Sequence, residues 1–427
     1  MQIIPGTGGS FYCENCVRDG SLVRALRQEG HEVTMVPMYL PLSFDDQDID
    51  QGTPLFFGAI STYLIEKIPG LIKLPDWFRK TLDSRPLLKF AARKADSTRA
   101  AGLEGMTLSM LRGEQGNQAD EIRHLVEWIK TEVKPDVVYL SNILLTGLAQ
   151  SLKETLNVPI VCALEDEDIW LQDMESESLE RIWKVIEEQA NFVDMYLPVS
   201  DYYNRKIQKL LKIPPEKLRT VHIGIDLEGY EDIPEKPQPP TIGYLSRMCE
   251  GLGLGILVDA FILLKTDPQF KNLRLRATGG VTRDDEAFIT SLKTQLLESD
   301  CLDDVEFMDG FDRDSRIEFL KSLSILSVPM TKDEAFGVFL LEALVCGVPI
   351  VQPNIGAFPE VIELTDGGVC YEPNSSEKLA ETLKALLLDR DRLDNLGATG
   401  RQKVLSYFSS SEMAKRMIEV FEYAIET

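Results

Sequence analysis

Residues 334–349 read EAFGVFLLEALVCGVP. From Val338 to Cys346 every residue except Glu342 is apolar, so a helix over this stretch has no face to offer water and is expected to be buried all round. The run Pro349–Gln352 that follows reads as a strand. The same alternation extends outward in both directions. Short β-branched runs at Thr241–Leu245, Leu273–Ala277, Val305–Met308 and Ile325–Val328 are separated by segments of helical period. Strands alternating with helices indicate a parallel sheet covered on both faces.

The pattern also fills the first half of the chain, with strands predicted at Met1–Ile4, Glu32–Val36, Val137–Leu140, Ile160–Ala163 and Met195–Val199. Ile122, Leu125, Val126 and Ile129 fall on one face at helical spacing between them. The stretch Glu231–Pro240, EDIPEKPQPP, holds four prolines and little apolar content, so it cannot bury a core face and reads as a linker. At 427 residues the chain exceeds what one core serves, and two α/β domains are expected. Their ranges are 1–235 and 236–410, followed by a terminal helix within 411–427 that is expected to pack back on the first domain. That helix follows the N-capping serines Ser409–Ser411 and carries Met413, Met417, Val420 and Phe421 on one face.

Composition excludes several classes. Lysines and arginines number 45 against 69 acidic residues, and a formal charge of −24 argues against charge-driven binding of nucleic acid. No N-terminal run has the pattern of a signal peptide and no apolar run nears a membrane span, so a cytoplasmic location is expected. The seven cysteines suit a reducing compartment and no bridge is assigned among them. Cys13 and Cys16 form a lone C-x-x-C without the further ligands a zinc site needs, which leaves ordinary loop thiols or a redox-sensitive pair. Lys67, Lys73, Arg79, Lys80, Arg85, Lys89, Arg93, Lys94 and Arg99 form a basic island interleaved with apolar residues. It reads either as a solvated, acceptor-facing insertion or as a peripheral contact with an anionic lipid surface.

Two segments carry chemistry. Pro5-Gly6-Thr7-Gly8-Gly9-Ser10 joins the opening strand to a helix, where glycines allow close backbone approach to an anion and the helix start offers free N–H groups. The alternative is an ordinary tight turn. In the second segment Glu342 is a carboxylate on a buried helix, and it needs either ligand hydroxyls or an internal arginine or lysine as partner. Glu334 precedes that helix and Gly337 stands at its start, where amides can receive phosphate or sugar oxygens. The alternative makes Glu334 no more than a helix-start carboxylate; the ligand-facing reading is preferred because a crevice lies at the strand ends of doubly wound sheets.

The two glutamates with seven residues between them, in EAFGVFLLEALVCGVPIV, resemble the donor-site motif of the family 4 retaining glycosyltransferases. GHEV at Gly30–Val33, PDVV at Pro135–Val138, VHIGID at Val221–Asp226 and GAFPEVI at Gly356–Ile362 extend the resemblance over essentially the whole chain. The resemblance implies a GT-B fold, with two doubly wound Rossmann-like domains facing across a cleft. It implies transfer of a sugar from a nucleoside diphosphate sugar to an acceptor, with retention and with no obligatory metal or other cofactor. Glu342 would hold the ribose hydroxyls, Glu334 and the backbone of Phe336, Gly337 and Val338 the sugar and phosphates, and Gly8 and Gly9 would approach the donor from the other domain. Arg247 would neutralise the departing diphosphate.

The chain departs from the family pattern at two places. Five residues after Arg247 the family places a lysine, where this chain has Leu252. A charge-assisted contact is worth about 1.5–3 kcal/mol, so its loss alone slows catalysis roughly ten- to more than a hundredfold. A non-catalytic nucleotide-sugar-binding or partner protein is therefore the alternative function. Many relatives also carry a histidine after the strand Ile160–Ala163, where this chain reads LEDEDIW from Leu164 to Trp170. That acidic run is either a solvated loop or an acceptor for a substrate hydroxyl. His31, His124 and His222 are read as local turn or packing residues. A nicotinamide-dependent oxidoreductase is disfavoured because the opening glycines lack a G-x-G-x-x-G run.

Overall fold

The computed structural model describes residues 1–6, 11–39, 53–54, 56–57, 102–233 and 235–427. Gly8, Gly9 and the basic island of 67–99 lie outside these residues. The chain forms two compact units, one of Met1–Gly9, Asn15–His222 and Met413–Thr427, the other of Ser10–Glu14 and Ile223–Glu412.

The first unit is built on a parallel sheet of β1 (Gln2–Ile4), β2 (Met35–Pro37), β3 (Val138–Leu140), β4 (Ile160–Leu164) and β5 (Met195–Pro198), in the order β2-β1-β3-β4-β5. Every residue of these strands is buried, as a sheet covered on both faces requires. Ile122, Leu125, Val126 and Ile129 are all buried. β2 begins later than the predicted Glu32 because the ladder pairs Gln2 with Met35, which leaves His31 and Glu32 exposed ahead of it. The terminal helix runs Ser410–Glu426, with Glu412 N–H donating to the Ser409 hydroxyl at 3.2 Å. From Met413 onward it belongs to this unit.

The second unit contains β6 (Thr241–Leu245), β7 (Arg274–Thr278), β8 (Val305–Phe307), β9 (Ile325–Leu326), β10 (Ile350–Pro353) and β11 (Gly368–Tyr371), all parallel, in the order β11-β10-β9-β6-β7-β8. The helix Val338–Val345 is buried at all eight positions. β11 has no counterpart among the predicted strands, because its GVCY is short and opens on a glycine after another glycine.

Two features differ from the sequence reading. The second unit begins at Ile223 rather than after the proline-rich stretch. Ile225 exchanges backbone hydrogen bonds with Phe408 and Ser410, and Asp226 pairs with Arg313 at 3.1 Å, so the chain joins this core before it reaches the prolines. Cys13 and Cys16 are disulfide-bonded, whereas no bridge was expected. Cys16 lies in the first turn of the helix Glu14–Gln28 and Cys13 immediately precedes it, so the C-x-x-C spacing sets the two side chains together. Cys162, Cys249, Cys301, Cys346 and Cys370 are free. Among the described residues no helix is long and apolar enough to cross a membrane.

Candidate active site

In the second unit the strand order changes direction between β6 and β9. Helices leave the two strands toward opposite faces there, which opens a crevice at the carboxyl ends where ligands bind in open parallel sheets. β6 delivers Arg247 to that edge, and β9 delivers Glu334 and the start of the helix Val338–Val345. The two connecting loops touch. The Thr331 hydroxyl donates to the Gly251 carbonyl at 2.9 Å, and a Cβ on Gly253, whose φ is +82°, would lie 1.9 Å from the Pro329 carbonyl oxygen.

Arg247 is already engaged. Its Nε and Nη2 donate to both oxygens of Asp285 at 2.9 and 3.0 Å, and Nη2 also reaches the Thr282 hydroxyl at 2.9 Å. The ring of Phe11 lies 5.8 Å from the guanidinium carbon. Burial pushes the Asp285 carboxyl up, but the hydrogen bonds from Arg247 and Thr282 outweigh it and hold the group below the usual range. Leu252 ends the short turn Glu250–Leu252, half-buried, and its carbonyl accepts from Tyr244 Oη at 3.2 Å.

Glu334 is half-buried and its carbonyl accepts the Ala357 N–H at 2.8 Å. Its Oε1 lies 3.4 Å from the Phe336 N–H. Gly337 adopts φ +90°, a conformation that a side chain would strain, and turns the chain into the helix. The first helical amide, Val338 N–H, donates to the carboxylate of Glu14. Phe336, Gly337 and Val338 therefore stand at the helix start as the sequence places them, with that terminus holding an anion from the protein itself.

Glu342 is 2% exposed and fully partnered within the protein. It accepts from Tyr12 Oη at 2.7 Å, Tyr230 Oη at 3.0 Å and Arg316 Nε at 3.2 Å. Of the two partners open to it, an internal arginine is present, and Arg316 also lies 5.3 Å from the centre of the Tyr12 ring. Burial, reinforced by the Glu342 charge, holds the Tyr12 and Tyr230 hydroxyls protonated well above the ordinary tyrosine range.

In the first unit the acidic run after β4 is built in. Glu165 is 3% exposed and paired with Arg18, which also binds Asp19 at 2.9 Å and donates to the Ser141 carbonyl at 2.7 Å. Burial pushes the Glu165 carboxyl up to about 8, with Arg18 offsetting only part of that rise. Glu167 accepts the N–H groups of Ile143 and Glu165 at 3.0 and 2.7 Å, and Asp168 pairs with Lys206 at 2.7 Å. His31 and His124 are exposed and His222 is buried.

Tyr12, Glu14, Tyr230, Asp285 and Arg316 were not singled out from the sequence. Glu14 follows the glycine-rich stretch closely, but nothing in linear spacing ties Arg316 or Tyr230 to Glu342. The pairing exists only once the helix Arg313–Lys321 lies beside the helix Val338–Val345.

Comparison with known proteins places these features. The family model described as Glycosyl transferases group 1 matches residues 230–403, and Glycosyltransferase Family 4 matches residues 104–228. The putative colanic acid biosynthesis glycosyltransferase WcaL of Escherichia coli is 26% identical over 238 residues, 54% of this chain and 56% of that protein. N-acetyl-alpha-D-glucosaminyl L-malate synthase of Bacillus anthracis is 28% identical over 165 residues, 39% of this chain and 40% of that protein. The chain thus spans about half the length, or less, of the curated relatives it matches. Among solved structures, Anabaena HepE in complex with UDP has a TM-score of 0.67 at 15% identity, covering 99% of both chains. Sucrose-phosphate synthase from Thermosynechococcus elongatus has a TM-score of 0.69 at 16% identity, covering 99% of this chain and 98% of that one. At such identities the likeness establishes the fold, which is GT-B.

Proposed function

Because this chain belongs to the glycosyl transferases group 1 family, we propose that it moves a sugar from a nucleoside diphosphate sugar to an acceptor, with retention of anomeric configuration. The observation that carries this reading is the meeting, at the strand-order switch between β6 and β9, of the loop that follows Arg247 with the loop that leads to Glu334 and the helix Val338–Val345, through Gly251 and Gly253 on one side and Thr331 and Pro329 on the other. Donor phosphates take the place that the Glu14 carboxylate holds at the Val338 amide, and Arg247 stabilises the negative charge that builds on the leaving diphosphate. Glu334 positions the transferred sugar. Glu342 contributes through the tyrosine and arginine hydroxyl and guanidinium network it anchors, and a ribose hydroxyl that reaches it competes with Tyr12 or Tyr230.

The test is calorimetric titration with UDP, GDP, ADP and their common sugar conjugates, with Arg247→Ala as the control. One nucleotide that binds the parent tightly and the variant at least tenfold more weakly supports the reading. No binding across the panel removes it. UDP is the first probe, since HepE is described in complex with UDP.

A donor-binding protein with impaired catalysis is favoured by one observation: the cation expected at position 252 is a leucine, and the Arg247 charge is shared with Asp285. If Leu252→Lys raises donor turnover at least tenfold over a near-silent parent, this second reading prevails. Robust turnover by the parent excludes it.

A further inference from the structure

The stretch from Phe11 to Glu14 is seated on the residues assigned to the donor. Phe11 forms an antiparallel β-bridge with Gly280, and its ring lies 5.8 Å from the Arg247 guanidinium carbon. Tyr12 N–H donates to the Gly279 carbonyl at 2.9 Å, while the Tyr12 hydroxyl donates to Glu342 at 2.7 Å. Glu14 accepts from the Val338 N–H. Side chains of one short stretch therefore engage Arg247, Glu342 and the start of the helix Val338–Val345, and the Glu14 carboxylate fills the place of an anion there.

The disulfide between Cys13 and Cys16 brackets this arrangement. Cys13 stands between Tyr12 and Glu14, and Cys16 follows two residues after Glu14, so the bridge closes a small ring through the Glu14 backbone and narrows the conformations open to it. As a staple such a ring contributes little, because the stabilisation from a cross-link grows with the length of chain it closes. Its placement suits exchange instead. Both cysteines are partly exposed, which admits a thiol nucleophile. Cys16 also lies in the first turn of the helix Glu14–Gln28, where free N–H groups stabilise a thiolate and favour its departure as a leaving group.

We propose that Cys13 and Cys16 form a thiol–disulfide exchange site that sets donor affinity: the bridge holds Glu14 on the Val338 amide, and its reduction releases the carboxylate and frees that amide for donor phosphate. The donor half of this statement rests on the transferase reading above. In the exchange the sulfur–sulfur bond of Cys13 and Cys16 breaks and two thiols form, with two electrons and two protons supplied by a dithiol that leaves as its own disulfide. The full chain is prepared oxidised and, by dithiothreitol without denaturant, reduced, with the state of both cysteines read by alkylation and mass spectrometry. UDP is titrated calorimetrically into each form, and hydrogen exchange of the Val338 amide is followed on the same samples. Reduction is expected to tighten UDP binding about threefold, below the roughly fivefold limit set by loss of the whole anion contact at the helix start, and to quicken exchange at Val338. The double change Cys13→Ser and Cys16→Ser gives the affinity of the reduced chain and ignores reductant, and Glu14→Ala binds UDP equally in both states. Equal or weaker UDP binding after reduction overturns the proposal, as does a bridge that dithiothreitol leaves closed in the folded chain, or a redox response that survives Glu14→Ala. If neither form binds UDP, GDP or ADP, the transferase reading fails on its own; exchange at Val338 that quickens on reduction then supports the release of Glu14, and unchanged exchange refutes it.

Discussion

Replacing Glu342 by alanine separates the structural role of this residue from any part it plays toward a ligand. The carboxylate is 2% exposed and serves three buried donors, Tyr12 Oη, Tyr230 Oη and Arg316 Nε. Its removal leaves the Arg316 guanidinium, whose side chain is 5% exposed, without a counter-charge, although Nη1 keeps the Phe311 carbonyl at 2.8 Å. Breaking one side of a buried ion pair costs about 3–5 kcal/mol. For a cooperative unit of this size that lowers the melting temperature by roughly 10 °C. The assay is thermal unfolding of parent and variant without nucleotide, so that any ligand contribution is absent by design. Adding Arg316→Met to the variant removes the orphaned charge and should recover more than half of the loss. A shift under about 2 °C without nucleotide would falsify the reasoning. It would mean that Glu342 is not held by its protein partners and is free for a donor.

Three further outcomes are expected. Glu14→Ala frees the Val338 amide, and since an anion at a helix start is worth about 1 kcal/mol, UDP should bind roughly fivefold more tightly by calorimetry. Unchanged or weaker binding means that Glu14 does not occupy the phosphate position. Arg247→Lys retains one positive charge but not the paired contacts to Asp285, so the second unit should lose about 1–2 kcal/mol in denaturant titration, with donor turnover reduced; wild-type stability and turnover would contradict it. The Glu165 carboxyl, facing Arg18, Asp19, Tyr139, Asp166 and Glu167, is raised from 4.5 to about 8 by burial. The unfolded chain releases this proton first, so stability falls as pH rises from about 4.5 to about 8. Glu165→Gln should flatten that part of the stability profile, and an unaltered slope counts against the assignment.

Ten of the strands in the two sheets were legible from the sequence because short apolar or β-branched runs recur between segments of helical period, a pattern that needs no partner to be recognised. β11 escaped because glycine and brevity erase that signal. The segment Glu334–Pro349 was legible for a related reason. A carboxylate on an otherwise apolar helix is a local anomaly, so Glu342 announced itself, whereas Leu252 stood out only against the family pattern that places a lysine there. The domain edge was placed by proline content, which marks where a chain cannot enter a core but not where the preceding residues join one. Ile225 and Asp226 are held by Phe408, Ser410 and Arg313, residues distant in sequence.

Sequence alone therefore determined the α/β class, the two-unit organisation and the identities of Arg247, Glu334 and Glu342 as the residues to examine. Tertiary structure alone decided their partners: Asp285 for Arg247, Glu14 for the Val338 amide, and Tyr12, Tyr230 and Arg316 for Glu342. The division has a physical cause. Hydrophobic periodicity is written along the chain, residue by residue, whereas the satisfaction of a buried charge depends on which distant donors the packed elements bring within hydrogen-bond reach.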